Sequence, residues 1–178
     1  MVKKILVFII MFIITLMTCK AQKYGIGTNI LGLGCGSINF EASIATSDKI
    51  TFNLPFSWNP FELSKNNKIK HLCIQPGFRK WLWHSYSEMF VGSCVVASLF
   101  NFAFSKERKE GYCAGISFNC GYAKMINRRF NLEFECAGGA MFFNYDRFEK
   151  KNCGEYLGNV KKVKLRPTKL SFSLVYIL

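Results

Sequence analysis

Two carboxylates threaded through an apolar run are the residues most able to do chemistry. The stretch RFNLEFECAGG (residues 129–139) alternates Phe130, Leu132, Phe134 and Cys136 with Asn131, Glu133 and Glu135. Side chains two apart on a strand share a face, so Glu133 and Glu135 are neighbours. Two chemistries fit such a pair. One is general acid/base work. The other is a buried charge network, in which each carboxylate needs a cation because an unpaired buried charge is costly. No nucleophile or second catalytic group accompanies the pair, and this favours the network. Glu41, Glu133 and Glu135 are expected to point inward and meet Arg79, with help from the neighbours of Lys80 at a rim. Four tethered side chains would then plug the interior. No catalytic residue, cofactor site or metal site is expected.

Other chemistry-bearing residues make weaker patterns. His71 and His84 fall at opposite ends of one predicted strand, too far apart to share a metal. The cysteines show no CxxC and no zinc-ligand spacing. Cys120 and Cys136 share a face on a predicted hairpin, which allows a cross-strand disulfide; two small lipid-facing residues are the simpler reading. GIGTNILGLGCG (residues 25–36) is glycine-rich, but no helix pattern follows it, so it is not a phosphate loop.

The elements that must position the carboxylates are strands. Alternating runs broken by polar turns occur at about 24–34, 36–46, 49–59, 70–83, 88–104, 111–124, 129–145 and 168–178. Tight connections (TSDK, HSYS, INRR) alternate with longer charged ones (FELSKNNKI, SKERKE and residues 149–167). Only the connection near Gly34–Gly36 breaks the alternation. Short turns on one side and long loops on the other mark an up-and-down outer-membrane barrel, with both termini on the short-turn side.

Parity defines the faces. Ile50, Phe52, Leu54, Phe56 and Trp58 oppose Thr51, Asn53 and Ser57; Leu170, Phe172, Leu174 and Tyr176 oppose Ser171 and Ser173. The runs at 24–34 and 88–104 are less clean. The greasy faces carry bulky residues. The polar faces carry small ones, among them Gly25, Gly27, Ser43, Gly77, Gly92, Gly115 and Gly121. An eight-stranded barrel has room inside only for small or mutually paired side chains. The expectation is therefore an all-β, eight-stranded antiparallel transmembrane β-barrel with a polar, plugged interior. Trp58 and Phe61 would mark one interface, and Trp83, Tyr122 and Tyr176 the other.

The first residues agree with export. Met1–Lys4 is a short basic region, Ile5–Met17 an apolar one, and Cys19 and Ala21 are small residues suited to cleavage before Gln22. Residues 1–21 are expected to be a signal peptide and 22–178 the barrel. A lipoprotein signal ending at Cys19 is the alternative; Thr18 fits it poorly. The chain has 178 residues and a formal net charge of +13. In an exported protein that charge points away from nucleic acid and towards anionic lipid and lipopolysaccharide. The basic connections carry Lys65, Lys68, Lys106, Arg108, Lys109, Lys150, Lys151, Lys161, Lys162, Lys164 and Arg166.

SWNPF (57–61), KHLCIQPGFRKW (70–81), YDRF with CG (145–148, 153–154) and RPTKLSFSLVYIL (166–178) together resemble the domain of unknown function 3575 family, over essentially the whole mature chain. The resemblance implies an outer-membrane β-barrel of Bacteroides-type envelopes, often encoded near fimbrial genes, and carries no catalytic residues. Gly77 stands where the family pattern places an acidic residue, which implies a thinner network here. The expected function is that of a monomeric, non-enzymatic barrel in the outer membrane, structural or adhesive and associated with fimbriae or another surface protein. Two other classes stay open: an outer-membrane enzyme acting on lipid or lipopolysaccharide, and a soluble periplasmic lipocalin-like binder.

Overall fold

A computed structural model describes residues 23–64, 67–104, 107–149 and 154–178. The expected signal peptide, Lys65, Lys106, Lys150, Lys151 and Cys153 lie outside the described residues. The described chain is almost entirely strand: β1 (Tyr24–Asn29), β2 (Ile38–Ser47), β3 (Ile50–Asn59), β4 (Glu62–Ser64), β5 (Asn67–Ile74), β6 (Gly77–Trp81), β7 (Glu88–Phe104), β8 (Glu107–Met125), β9 (Phe130–Glu149) and β10 (Tyr156–Ile177). One short helix, α1 (Ile30–Gly34), interrupts them.

The strands pair antiparallel with their sequence neighbours, and β10 returns to β1, so the sheet closes into a ring. β5 and β6 occupy one place in it, both lying between β3 and β7. Eight strands thus complete the circle, and β4 hairpins onto β5 outside it. The described ends meet at the tight-turn end, where the Leu178 amide donates to the Tyr24 carbonyl at 2.8 Å.

Four expectations need correction. The first run stops being a strand at Asn29. The Asn29 side chain accepts from the Leu31 amide and starts α1 there, as an N-cap does. The fourth run breaks at Gln75–Pro76. Proline offers no N–H to a ladder, yet inward and outward faces keep their parity across the break. The seventh connection is far shorter than 149–167, because β9 runs on to Glu149 and β10 begins at Tyr156. Basic residues such as Lys161 and Lys164 belong to a ladder with β9 rather than to a loop. The sixth run likewise starts earlier, at Glu107.

β2 and β3 have ten residues each, whereas β7 to β10 have 17 to 22. The longer strands rise beyond the shorter wall by about ten residues, on the order of 30 Å along the strand.

The faces sort as their parity requires. Many buried positions are polar: Ser43, Thr51, Asn53, Ser117, Asn119, Asn131, Ser171 and Ser173. Exposed positions include Phe78, Leu99, Ile116, Phe118, Leu165 and Leu170, with Phe118 at 72%. β7 is the exception in numbering. Its even residues Phe90, Cys94 and Val96 face inward while Met89, Val91, Val95 and Leu99 face outward, so both faces are apolar and the sequence alternates less cleanly. The inside has an apolar layer at the tight-turn end, formed by Trp81, Tyr86, Phe90, Ala123, Val175 and Ile177. A second apolar cluster of Cys94, Val96, Cys113 and Met141 lies nearer the other end.

Candidate functional site

Between these apolar clusters the ring holds its charges. Arg79 enters from β6. Its Nη2 lies 2.6 Å from Glu41 Oε1 on β2 and 2.6 Å from Glu135 Oε2 on β9, and its Nη1 lies 3.2 Å from Glu133 Oε2. All four residues singled out from the sequence therefore converge. The guanidinium can do this because its donors are spread in a planar fork.

Strand geometry puts them there. Arg79 pairs across the sheet with Gly92, Glu135 with Gly121 and Glu41 with Gly27. Each long side chain thus rises beside a residue that leaves space. Gly92 is required by close approach: a Cβ there would lie 2.2 Å from the Phe78 carbonyl oxygen and 2.6 Å from Asn119 Oδ1. Gly77 is confined in the same way, since a Cβ would lie 2.5 Å from Cys94 Cβ. An acidic side chain has no room at 77 while Cys94 fills that space. The network is not thin, because other residues join it.

The chief addition is Lys169. Its Nζ donates to Glu135 Oε2 at 2.7 Å and to Glu41 Oε2 at 3.0 Å. The neighbours of Lys80 contribute differently: Arg79 is the hub, Trp81 seals the ring below it, and Lys80 itself points out. Asn119 donates to Glu135 at 2.5 Å, and Asn53 to Glu41 at 3.1 Å. A chain of hydrogen bonds then descends, from Thr51 to Asn53 at 2.8 Å and from Trp81 Nε1 to Thr51 at 3.1 Å. The Arg79 guanidinium also lies over the Phe90 ring, 4.8 Å from its centre, a favourable cation–π contact.

Below the charges, the turn between β6 and β7 folds one residue back inside. Tyr86 is 2% exposed, its hydroxyl is 3.1 Å from Ser43 Oγ, and its carbonyl accepts from Asn131 at 2.5 Å. Its φ of +67° is the cost of that reversal. Trp81 packs between Tyr86 and Phe90, with ring centres 5.8 and 4.8 Å away. This end of the ring is closed by an aromatic layer.

Above the charges lies a cavity of about 430 Å³, with Lys169 and Glu41 at its floor and lined by apolar residues of β7, β8 and β9 and by Arg166 of β10. His71 is on its wall, 3.2 Å from Ser57 Oγ; His84 lies in the turn after β6. Among the described residues no three His, Cys, Asp or Glu side chains group to hold a metal. The six described cysteines are free thiols, and Cys120 is the direct cross-strand partner of Cys136.

Lys169 and Tyr86 were the residues that strand reading missed. Lys169 has the parity of Ser171 and Ser173, so extending that inward face by one step would have found it. A bulge between Pro167 and Lys169 interrupts the ladder just there. No alternation marks Tyr86, since it sits in a turn.

Such a molecule is an all-β, closed antiparallel ring with ion pairs inside and bulky apolar residues outside. The chain belongs to the family of proteins of unknown function designated DUF3575, which it matches over residues 6–178. No curated protein matches it.

Proposed function

We propose that this protein is an outer-membrane β-barrel, exported by its N-terminal leader, with a structural or adhesive rather than catalytic role at the cell surface. One observation carries the reading: the polarity of the ring is inverted. Phe118, Ile116, Leu99, Leu170 and Phe78 present bulky apolar surface outward, while Arg79, Glu133 and Glu135 are each 3% exposed inside. In water each bulky apolar side chain forgoes about 1.5–3 kcal/mol of burial. In a bilayer the same face is solvated by lipid. Ten-residue strands such as β2 and β3 are the length a tilted strand needs to cross the hydrocarbon.

The interior supports a non-catalytic role. Arg79 holds all three carboxylates, and Lys169 also grips two of them, so the layer acts as a brace and plug. The long strands β7 to β10 lift basic residues beyond the wall, where anionic lipopolysaccharide or a surface protein such as a fimbrial subunit would meet them. A monomer is the proposed state, because β10 returns to β1 and closes the ring.

Membrane fractionation, followed by comparison of unboiled and boiled protein on a detergent gel, tests this. Recovery in the outer membrane with a heat-dependent shift in mobility is expected. A soluble protein with no shift would overturn the reading and favour a lipocalin-like binder. Turnover of phospholipid or lipopolysaccharide by the pure protein would favour an enzyme.

A further inference from the structure

The upper half of the ring has a seam. β1 pairs with β10 only from Gly25↔Ile177 to Asn29↔Ser173, and there the chain turns into α1. β10 continues for 17 more residues towards Tyr156 with β9 on one side. Among the described residues no strand joins its other side there. The gap between β2 and β10 is spanned by Asn29 instead. Its Oδ1 accepts from the Phe172 amide at 3.2 Å, and its backbone exchanges hydrogen bonds with Asn39 at 2.5 and 2.9 Å. The cavity lies against this seam, touched by Asn29, Gly32 and Asn39 on one side and by residues 166–170 on the other.

Its lining mixes two chemistries. Val96, Phe102, Met141 and Phe143 are apolar. Arg166, exposed on β10 beside β9, also lines it, and its side chain has no hydrogen-bond or ion-pair partner among the described residues. Lys162, two turns of alternation further up β10, shares the ring-facing side: its Nζ donates to the inward Tyr145 hydroxyl at 2.5 Å. The opposing carboxylate at the floor, Glu41, is already held by Arg79 and Lys169. An unpaired guanidinium beside an apolar pocket is suited to an anionic head. The pocket falls within the roughly 300–1,000 Å³ of small-molecule sites, which are mostly apolar with a few placed polar groups.

We propose that this cavity binds a single-chain anionic amphiphile, its carboxylate or phosphate head at Arg166 and its acyl chain against Val96, Phe102, Met141 and Phe143. The seam between β2 and β10 is its entrance. This goes beyond the structural role and does not rest on it, because the cavity lies inside the ring whatever surrounds the ring.

The test is a titration of the full-length protein, in zwitterionic nanodiscs, with the fluorescent fatty acid dansyl-undecanoate. Saturable emission is expected, with affinity about tenfold weaker in Arg166→Glu and binding lost in Ser98→Trp, which fills the cavity from β7. Circular dichroism checks that both variants keep their strands; Arg166→Gln serves should Arg166→Glu fail to fold. Displacement by laurate alone supports the proposal with a free fatty acid as ligand. Displacement by lysophosphatidylglycerol as well supports it with a phosphate-headed lipid. A signal equal in wild type and both folded variants, or displacement by dodecanol as effective as by laurate, overturns it. If the protein proves soluble, the same titration in buffer decides the site independently of the membrane reading.

Discussion

Arg79 and Glu135 are separated by 56 positions in sequence, yet Nη2 and Oε2 meet at 2.6 Å in the middle of the ring. Four strands, β2, β6, β9 and β10, bring carboxylates or cations to that point, and Arg79, Glu133 and Glu135 are buried from water. Removing one member therefore costs more than the pair contributed, because its partners stay buried and charged. Arg79→Met is expected to destabilise the folded ring by about 3–5 kcal/mol. The midpoint of urea unfolding, followed by tryptophan fluorescence in detergent, reads this. Adding Glu133→Gln and Glu135→Gln to the same chain should recover part of the loss. No recovery would mean that Arg79 acts mainly through its packing on Phe90.

Lys169 should behave differently. Its two partners keep Arg79 when it is lost, so Lys169→Met leaves fewer uncompensated charges. A loss of about 1–3 kcal/mol is expected, smaller than that of Arg79→Met in the same unfolding experiment. Equal losses would show that the two cations are not layered as hub and cover.

The different standing of these two residues bears on what a sequence can disclose. Arg79, Glu41, Glu133 and Glu135 were legible because each lies in a clean alternating run, where parity alone assigns the inside. The ring itself was legible for the same reason, from even strand number and alternating faces. Lys169 shares the parity of Ser171 and Ser173 but stands at the start of its run, next to the bulge at Pro167, so no alternating residue before it marks the inward face. The helix α1 was hidden because its start depends on a local bond from Asn29, and the run there is short and glycine-rich. The length of β9 and β10 was hidden by charge. Lysines read as loop when water lies on both sides of a ladder, and no burial pattern remains to reveal the strand.

Tyr86 is expected to hold the closed end. Tyr86→Ala removes a buried ring from between Trp81 and Ser43, and a loss of about 3–5 kcal/mol follows the usual cost of deleting a large aromatic. Tyr86→Phe forfeits only the contact with Ser43, about 1 kcal/mol. Paired denaturant titrations distinguish them. A large loss from Tyr86→Phe would place the weight on the hydroxyl rather than on the ring.

Gly92 is expected to tolerate nothing larger. A Cβ at 2.2 Å from the Phe78 carbonyl would force β6 and β7 apart, and with them Arg79 from its carboxylates. Gly92→Val should give no heat-shifted band and no protected core after refolding. Gly158, with open space around it, lies on the projecting hairpin and has a φ of +116°; Gly158→Ala should strain only that hairpin and leave the heat shift intact. If both variants fold alike, close packing around Arg79 is not what fixes the residue at 92.

The outward face gives the sharpest test of the proposed environment, because one substitution has opposite meanings in lipid and in water. Ile116 is 60% exposed on the middle of β8 and touches no part of the ion layer. If that face meets hydrocarbon, Ile116→Lys places an ammonium in the bilayer and destabilises the fold by about 2–4 kcal/mol near the midplane. If the face meets water, the same change falls within about 0.5 kcal/mol of neutral, as exposed substitutions do. Folding free energies of the two proteins in vesicles of one lipid decide between these cases. A neutral Ile116→Lys would return the bulky residues to water and remove the argument for a membrane-spanning ring. A costly one would keep the outward face of β8 in hydrocarbon.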